Sequence, residues 1–166
     1  PMSYISVRKE RYSHDIIAKN KEFVINLTNK QLTYATDWCG VRTGAKVDKF
    51  KEMHLTKEKG KFVKCPLIKE SPVSIECKVV EIKELGSHDM FMAEILSIDA
   101  DEKYIDNKGA FDITKCDLIT YANGKYFTLG KQVVKFGYSV QKKKRRNKGI
   151  LMYKTNILER KLNMTL

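Results

Sequence analysis

The chain has 166 residues, 42% of them hydrophobic and 31% charged, with a formal net charge of +12 at pH 7. A single domain of this size buries roughly two-thirds of the surface its unfolded form exposes, so disulfides are not needed for folding. These fractions are those of a soluble globular protein and no apolar run approaches the length of a membrane span; residues 1–5 carry no signal-peptide pattern, and a cytoplasmic protein is expected.

In chain order, Tyr4, Ile5, Ser6 and Val7 alternate enough to predict a first strand. Ser13 can then cap a short helix carrying Ile16, Ile17 and Ala18. Residues 22–27 are nearly continuous in apolar character and read as a buried strand. Thr28 is placed to cap a helix with Leu32, Ala35 and Thr36 at helical spacing, ending near Gly40, and a brief second helix is expected over 47–53. Residues 56–70 read as a Lys-rich irregular connection. From Val73 the period changes to two: Val73, Ile75, Cys77 and Val79 alternate with Ser74, Glu76 and Lys78, the pattern of a half-buried strand. A turn at Gly86-Ser87 leads to a partner strand from His88 to about Ile98, followed by a polar excursion over 99–114 with a short helical turn. Asn123-Gly124 joins the runs 118–121 and 126–129 as a tight hairpin, because that dipeptide supplies two positive φ angles. Antiparallel strands with few helices and no βαβ alternation predict a mainly β fold, a small closed or nearly closed barrel with helical decoration.

The basicity is mostly a property of the end of the chain. Residues 141–166 carry nine Lys/Arg against one acid, Glu159, whereas residues 1–140 carry 23 Lys/Arg against 19 Asp/Glu. The run Lys142-Lys143-Lys144-Arg145-Arg146 suits nucleic acid or an anionic membrane surface, and Ile150, Leu151, Ile157, Leu158 and Leu162 make a loose helical stripe. Only Tyr153 interleaves with these charges, so base stacking is not expected, and 143–166 reads as a solvated basic extension of a body spanning 1–142. Cys39, Cys65, Cys77 and Cys116 have neither metal-ligand nor C-x-x-C spacing and read as reduced core residues. His14, His54 and His88 form no cluster, so no metal site is expected. Trp38 and Tyr126 suit core anchors better than ligand stacking, and no nucleophile triad or carboxylate pair emerges.

Several stretches, taken in order, carry a family pattern. Pro1-Met2-Ser3-Tyr4-Ile5-Ser6-Val7 followed by Glu10-Arg11-Tyr12-Ser13 resembles the P-M-x-x-[IV]-S-V-x-x-E-R-x-[ST] stretch of FMN-binding split-barrel flavin reductases of the flavoredoxin type. The strand at 22–27 matches the one that follows there. Cys39-Gly40-Val41-Arg42-Thr43-Gly44 with Val47-Asp48-Lys49-Phe50 resembles C-G-x-x-[ST]-G-x-x-x-D-K-F. Glu76-Cys77-Lys78-Val79 and Gly86-Ser87-His88-Asp89-Met90-Phe91 resemble the E-C-x-V and G-x-H-x-x-F segments, and Phe136-Gly137-Tyr138-Ser139-Val140 resembles the closing strand. The resemblance covers 1–142. It departs at Ala93, where many relatives carry glycine, and at the start, where relatives have a pair of strands before the position of Pro1. Unpaired strand edges and an incomplete flavin pocket are therefore expected.

The resemblance implies an FMN-binding split β-barrel, Greek-key antiparallel with short helices, forming a homodimer with the flavin near the interface. It implies FMN as cofactor, NAD(P)H as electron donor, and a free flavin or a redox partner protein as acceptor. By the same resemblance Arg11, Ser13, Cys39, Gly40, Asp48 and Lys49 are candidate cofactor-binding residues, and His88 is the candidate catalytic residue beside the flavin–nicotinamide site. A guanidinium and a helix N-terminus both favour a phosphate, which suits Arg11 and Ser13 to that end of the ligand. Blander readings stand beside each: an N-cap with a solvated arginine, a surface ion pair at Asp48-Lys49, a helix-ending Gly40, a water-exposed His88. Two other functions remain open, an electron carrier of the flavoredoxin type without NAD(P)H oxidation, and a nonenzymatic β-barrel module that binds nucleic acid through its basic tail.

Overall fold

A computed structural model describes residues 1–141, in one compact unit over Pro1–Gly130 and a second that starts at Lys131. The basic run and the apolar stripe expected over 142–166 lie outside the described residues. Strand β1 (Met2–Arg8) keeps its alternation: Ser3, Ile5 and Val7 turn inward while Met2, Tyr4, Ser6 and Arg8 face out. Helix α1 (Tyr12–Asn20) follows, but Ser13 does not cap it. Arg11 holds the cap position, its side chain makes no capping hydrogen bond, and Ser13 lies inside the first turn. Strand β2 (Glu22–Leu27) buries only Phe23, because it is a sheet edge rather than an enclosed strand.

A 3-10 turn at Lys30–Leu32 leads into α2 (Thr33–Val41), and the cap is Asn29, not Thr28. Asn29 Oδ1 accepts from Leu32 N at 3.1 Å, while the Thr28 carbonyl accepts from Ile119 N. Helix α3 is one turn, Lys49–Glu52, capped by Asp48. Within the connection expected to be irregular, β3 (Lys57–Glu58) and β4 (Leu67–Ile68) pair as a short antiparallel ladder.

The central hairpin is β5 (Val73–Glu84) and β6 (His88–Ala100), turned at Gly86 with φ +78°. Spatial order in the sheet is β1-β6-β5-β2, antiparallel throughout, which is the strand order of a Greek key. Two register shifts in β5, at Glu76/Cys77 and Val79/Glu81, bend the strand and steepen its twist. Its inner face holds the core: Phe23, Cys77, Val79, Phe91 and Ala93, with Ile5, Val7, Ile17 and Ala18 packed against them. Each large apolar side chain so buried contributes about 1.5–3 kcal/mol. The methyl of Ala93 is fully enclosed there.

Glu76 breaks the simple two-faced reading. Alternation puts it on the outer face, yet it is fully buried. The chain beyond Gly60 folds over it, and its Oε1 accepts from Lys61 N at 2.9 Å while Oε2 accepts from Phe62 N at 2.8 Å and Val63 N at 2.9 Å. A Cβ at position 60 would stand 2.8 Å from Oε2, so glycine permits this approach.

The excursion after β6 contains 3-10 turns at Glu102–Tyr104 and Ile113–Cys116. The late hairpin forms as expected from β7 (Ile119–Ala122) and β8 (Lys125–Thr128), with Asn123 at φ +48° and Gly124 at φ +74°. In the second unit, the closing strand expected over 136–140 is instead a 3-10 turn at Tyr138–Val140.

Candidate functional site

The start of α1, the end of α2 and the start of α3 border one open cleft of about 1100 Å³. Six of the seven sequence-predicted site residues line it: Arg11, Ser13, Cys39, Gly40, Asp48 and Lys49. Five cations (Arg11, Arg42, Lys46, Lys49 and Lys57) face two carboxylates, Glu10 and Asp48, so the cleft is electropositive. No side chain caps α1, and the N–H groups of a first helical turn carry partial positive charge that adds to this field.

The details separate groups free to face the cleft from architectural ones. Lys49 Nζ donates to the Cys39 carbonyl at 2.5 Å, which ties α3 to the end of α2 and, among the described residues, leaves two of its N–H bonds without a partner. Asp48 Oδ1 accepts from Phe50 N at 3.0 Å and Lys51 N at 3.3 Å, so this carboxylate anchors the first turn of α3. Its other oxygen lies 3.9 Å from Lys57 Nζ, an exposed pair of little energetic weight. Burial pushes the Cys39 thiol up, against the opposing pull of the Lys49 ammonium. Gly40 is inside the last turn of α2 rather than a left-handed cap, because the helix ends at Arg42 in extended backbone. Gly44 meets the ring of Tyr12, which a Cβ there would approach to 3.3 Å.

His88 stands apart. It opens β6 opposite Arg8 of β1, is half-buried, does not line the cleft, and has Nδ1 2.9 Å from the Ser87 hydroxyl. Trp38 and Tyr126 do not line the cleft either: the Arg42 guanidinium lies 5.9 Å from the Trp38 ring centroid, and Tyr126 Oη donates to Asp37 Oδ1. Sequence reasoning missed Arg42, Lys46 and Lys57. Arg42 and Lys46 sit within the segment already singled out between Cys39 and Phe50, whereas Lys57 joins them only through folding of the 56–70 connection.

A family model described as flavin reductase like domain matches residues 1–130. The chain belongs to this family. A protein of Archaeoglobus fulgidus called uncharacterized is 33% identical over 124 residues, 75% of this chain and 69% of that protein. Among solved structures, the flavoredoxin of Desulfovibrio vulgaris (Miyazaki F) superposes with a TM-score of 0.78 at 28% identity, covering 85% of this chain and 76% of that one. Flavoredoxin from Methanosarcina acetivorans gives a TM-score of 0.73 at 33% identity, covering 85% and 77%. The fold is thus a split barrel, mainly β with short helices, as the sequence led us to expect.

Within this flavin reductase-like domain the motifs divide by role. Arg11 to Ser13 form the start of α1, and 39–50 form the α2–α3 border of the cleft. The E-C-x-V segment is structural: Glu76 pins the 60–63 loop, and Cys77 is a core thiol pushed up to about 11 by burial. Phe91 of the G-x-H-x-x-F segment is fully buried in the core. Among the described residues, no helix is long and apolar enough to cross a membrane.

Proposed function

We propose that this domain binds FMN by its phosphate in the α1–α3 cleft and serves flavin-dependent electron transfer, with NAD(P)H as donor and a free flavin or a partner protein as acceptor. The observation that carries the reading is the electropositive cleft built from the very residues of the family motifs, with five cations over two carboxylates beside an uncapped helix start. The donor set fits the group. Arg11 is in no ion pair among the described residues and can present a bidentate fork to a phosphate. Ser13 adds a hydroxyl and the first-turn N–H groups add their partial charge. Lys46 and the remaining N–H bonds of Lys49 supply further donors, and the volume suits a mononucleotide.

Bound FMN supplies the two-electron chemistry itself, so the protein need only hold, orient and shield it. His88, outside the cleft, is assigned to orienting the nicotinamide rather than to holding the flavin. Substituting it should therefore alter NAD(P)H oxidation and spare FMN affinity. The outer face of β1 and β6, where Met2 and Tyr4 are more than half exposed beside Met90 and Met92, suits a second copy of the chain, and we assign a homodimer to it. With a nicotinamide donor, we assign the reaction to the cytoplasm. A carrier role without NAD(P)H oxidation is favoured by one observation: both structural relatives named above are flavoredoxins.

The test is spectroscopic. Purified protein incubated with FMN should retain a flavin spectrum after desalting, and NADH or NADPH added without air should bleach it. A spectrum that persists unbleached selects the carrier role. Folded protein that retains no flavin overturns both.

A further inference from the structure

The first turn of α1 presents Arg11, Tyr12 and Ser13 to the cleft, yet nothing caps that turn. What holds it lies one residue further on. His14 Nε2 is 2.8 Å from Asp89 Oδ2 on β6, and His14 Nδ1 is 2.9 Å from Asp15 Oδ1. A neutral imidazole has one N–H, and two carboxylate acceptors require two, so only an imidazolium satisfies both contacts at once. Asp89 is nearly enclosed, with a side chain 8% exposed, and its Oδ1 makes no hydrogen bond. Among the described residues that oxygen is balanced only by Lys9 Nζ at 3.5 Å, from the turn between β1 and α1. Lys9 also reaches Glu84 of β5 at 3.3 Å. The face of the ring is closed by Phe91, edge-on at 5.3 Å between centroids. The charged groups about His14 are therefore Asp15 on α1, Asp89 on β6, Lys9 in the turn and Glu84 on β5.

We propose that His14 is a positioning residue for the anion-binding end of the cleft, its protonated ring clasping the first turn of α1 to β6 through Asp89. The proposal rests on the reading of the cleft as a phosphate site. When the ring loses its proton, only one of the two hydrogen bonds survives; a neutral ring protonated at Nε2 keeps the bond to Asp89, but its charge pairing with that buried carboxylate is lost. The hold of the sheet on the turn carrying Arg11 and Ser13 is then weaker. Hydrogen bonds donated to Asp15 and Asp89 hold the His14 pKa above its ordinary value of 6.5, with burial opposing them. The ring therefore keeps its proton to higher pH than a free imidazole does, and the clasp loosens as pH rises through that raised value.

The experiment measures the affinity of the full chain for FMN and for riboflavin, which lacks the phosphate, between pH 7 and 9. In that range an FMN phosphate is already dianionic, its second pKa being about 6. Wild-type affinity for FMN should fall by at least about five-fold across the range, the lower end of coupling between sites, while riboflavin affinity stays level. His14→Gln should bind FMN more weakly at pH 7 and show no pH dependence. Asp89→Asn, which removes the charge that retains the proton, should move the wild-type decline to lower pH. If wild type and His14→Gln share one FMN profile, or if the wild-type profile is flat, the clasp is overturned while the phosphate site stands. Equal affinity for FMN and riboflavin in wild type at every pH overturns the phosphate site and the clasp with it.

Discussion

Replacing Glu76 with glutamine should lower the stability of the 1–130 unit by about 2–4 kcal/mol, and the structure says why. The carboxylate accepts three backbone N–H bonds at 2.8–2.9 Å with no exposure to solvent. Glutamine has one carbonyl oxygen, which can keep the bonds from Phe62 and Val63, and its amide then faces the Lys61 N–H. One donor is left unmet, at about 1–3 kcal/mol, and two charge-assisted bonds become neutral ones, at about 1 kcal/mol each. Relief from burying a charge offsets part of this. In a unit of this size the loss corresponds to a melting point lower by roughly 10 °C. Thermal and urea unfolding followed by circular dichroism would read it, with Glu81→Gln, exposed on the same strand, as the control expected within about 0.5 kcal/mol of wild type. Gly60→Ala pushes on the same contact, since its Cβ would meet Glu76 Oε2 at 2.8 Å and the Val63 carbonyl at 2.9 Å. The two losses should therefore combine to less than their sum. A Glu76→Gln protein that melts within about 2 °C of wild type would refute the idea that this carboxylate holds the loop.

Three further outcomes follow from the same structure. Stability should peak between the two titrations of the His14–Asp89 pair. Hydrogen bonding from His14, ahead of the Lys9 charge and against burial, depresses Asp89, so its contribution is lost as pH falls through that lowered value. The raised His14 makes its contribution below 6.5 and loses it as pH climbs through its folded value, so denaturant midpoints should decline as pH rises above 6.5 in wild type and stay level in His14→Gln. Thiol titration with an aromatic disulfide should find Cys39 and Cys65 slow but reactive in the native protein, and Cys77 and Cys116 silent until it is denatured. Saturating FMN should protect Cys39 and leave Cys65 unchanged, because Cys39 lines the cleft.

Much of this architecture was legible in the residues. The period-two run from Val73 and the Asn123-Gly124 turn each reflect strictly local physics, side-chain alternation and positive φ, and both strands and hairpin stand where those signals put them. The helix starts were misjudged because capping is decided by tertiary partners. Thr28 is held by its carbonyl to Ile119, and Lys30 N donates to the Asp117 carbonyl, so the cap passes to Asn29. Glu76 looked solvent-facing because alternation knows only two faces and cannot see a loop from fifteen residues upstream closing over one of them. Similarly, β2 read as enclosed from its apolar run, though its place at the sheet edge buries only Phe23. The cleft was legible only through motif resemblance. No single spacing brings Arg11, Gly40 and Lys49 together; the β1–α1 turn and the short α2–α3 connector do so in space.

The claim on which the account turns is that a phosphate is held at Arg11 and Ser13, and phosphorus NMR of FMN with the full chain addresses it directly. The account predicts that the ³¹P resonance of bound FMN moves away from that of free FMN and ceases to titrate near its usual pKa of about 6, because the electropositive cleft keeps it dianionic. Arg11→Ala should restore most of the free-ligand behaviour. A flavin that binds, as judged by its visible spectrum, while its phosphorus signal keeps the free titration curve in wild type would contradict the account and place the ligand elsewhere on the barrel.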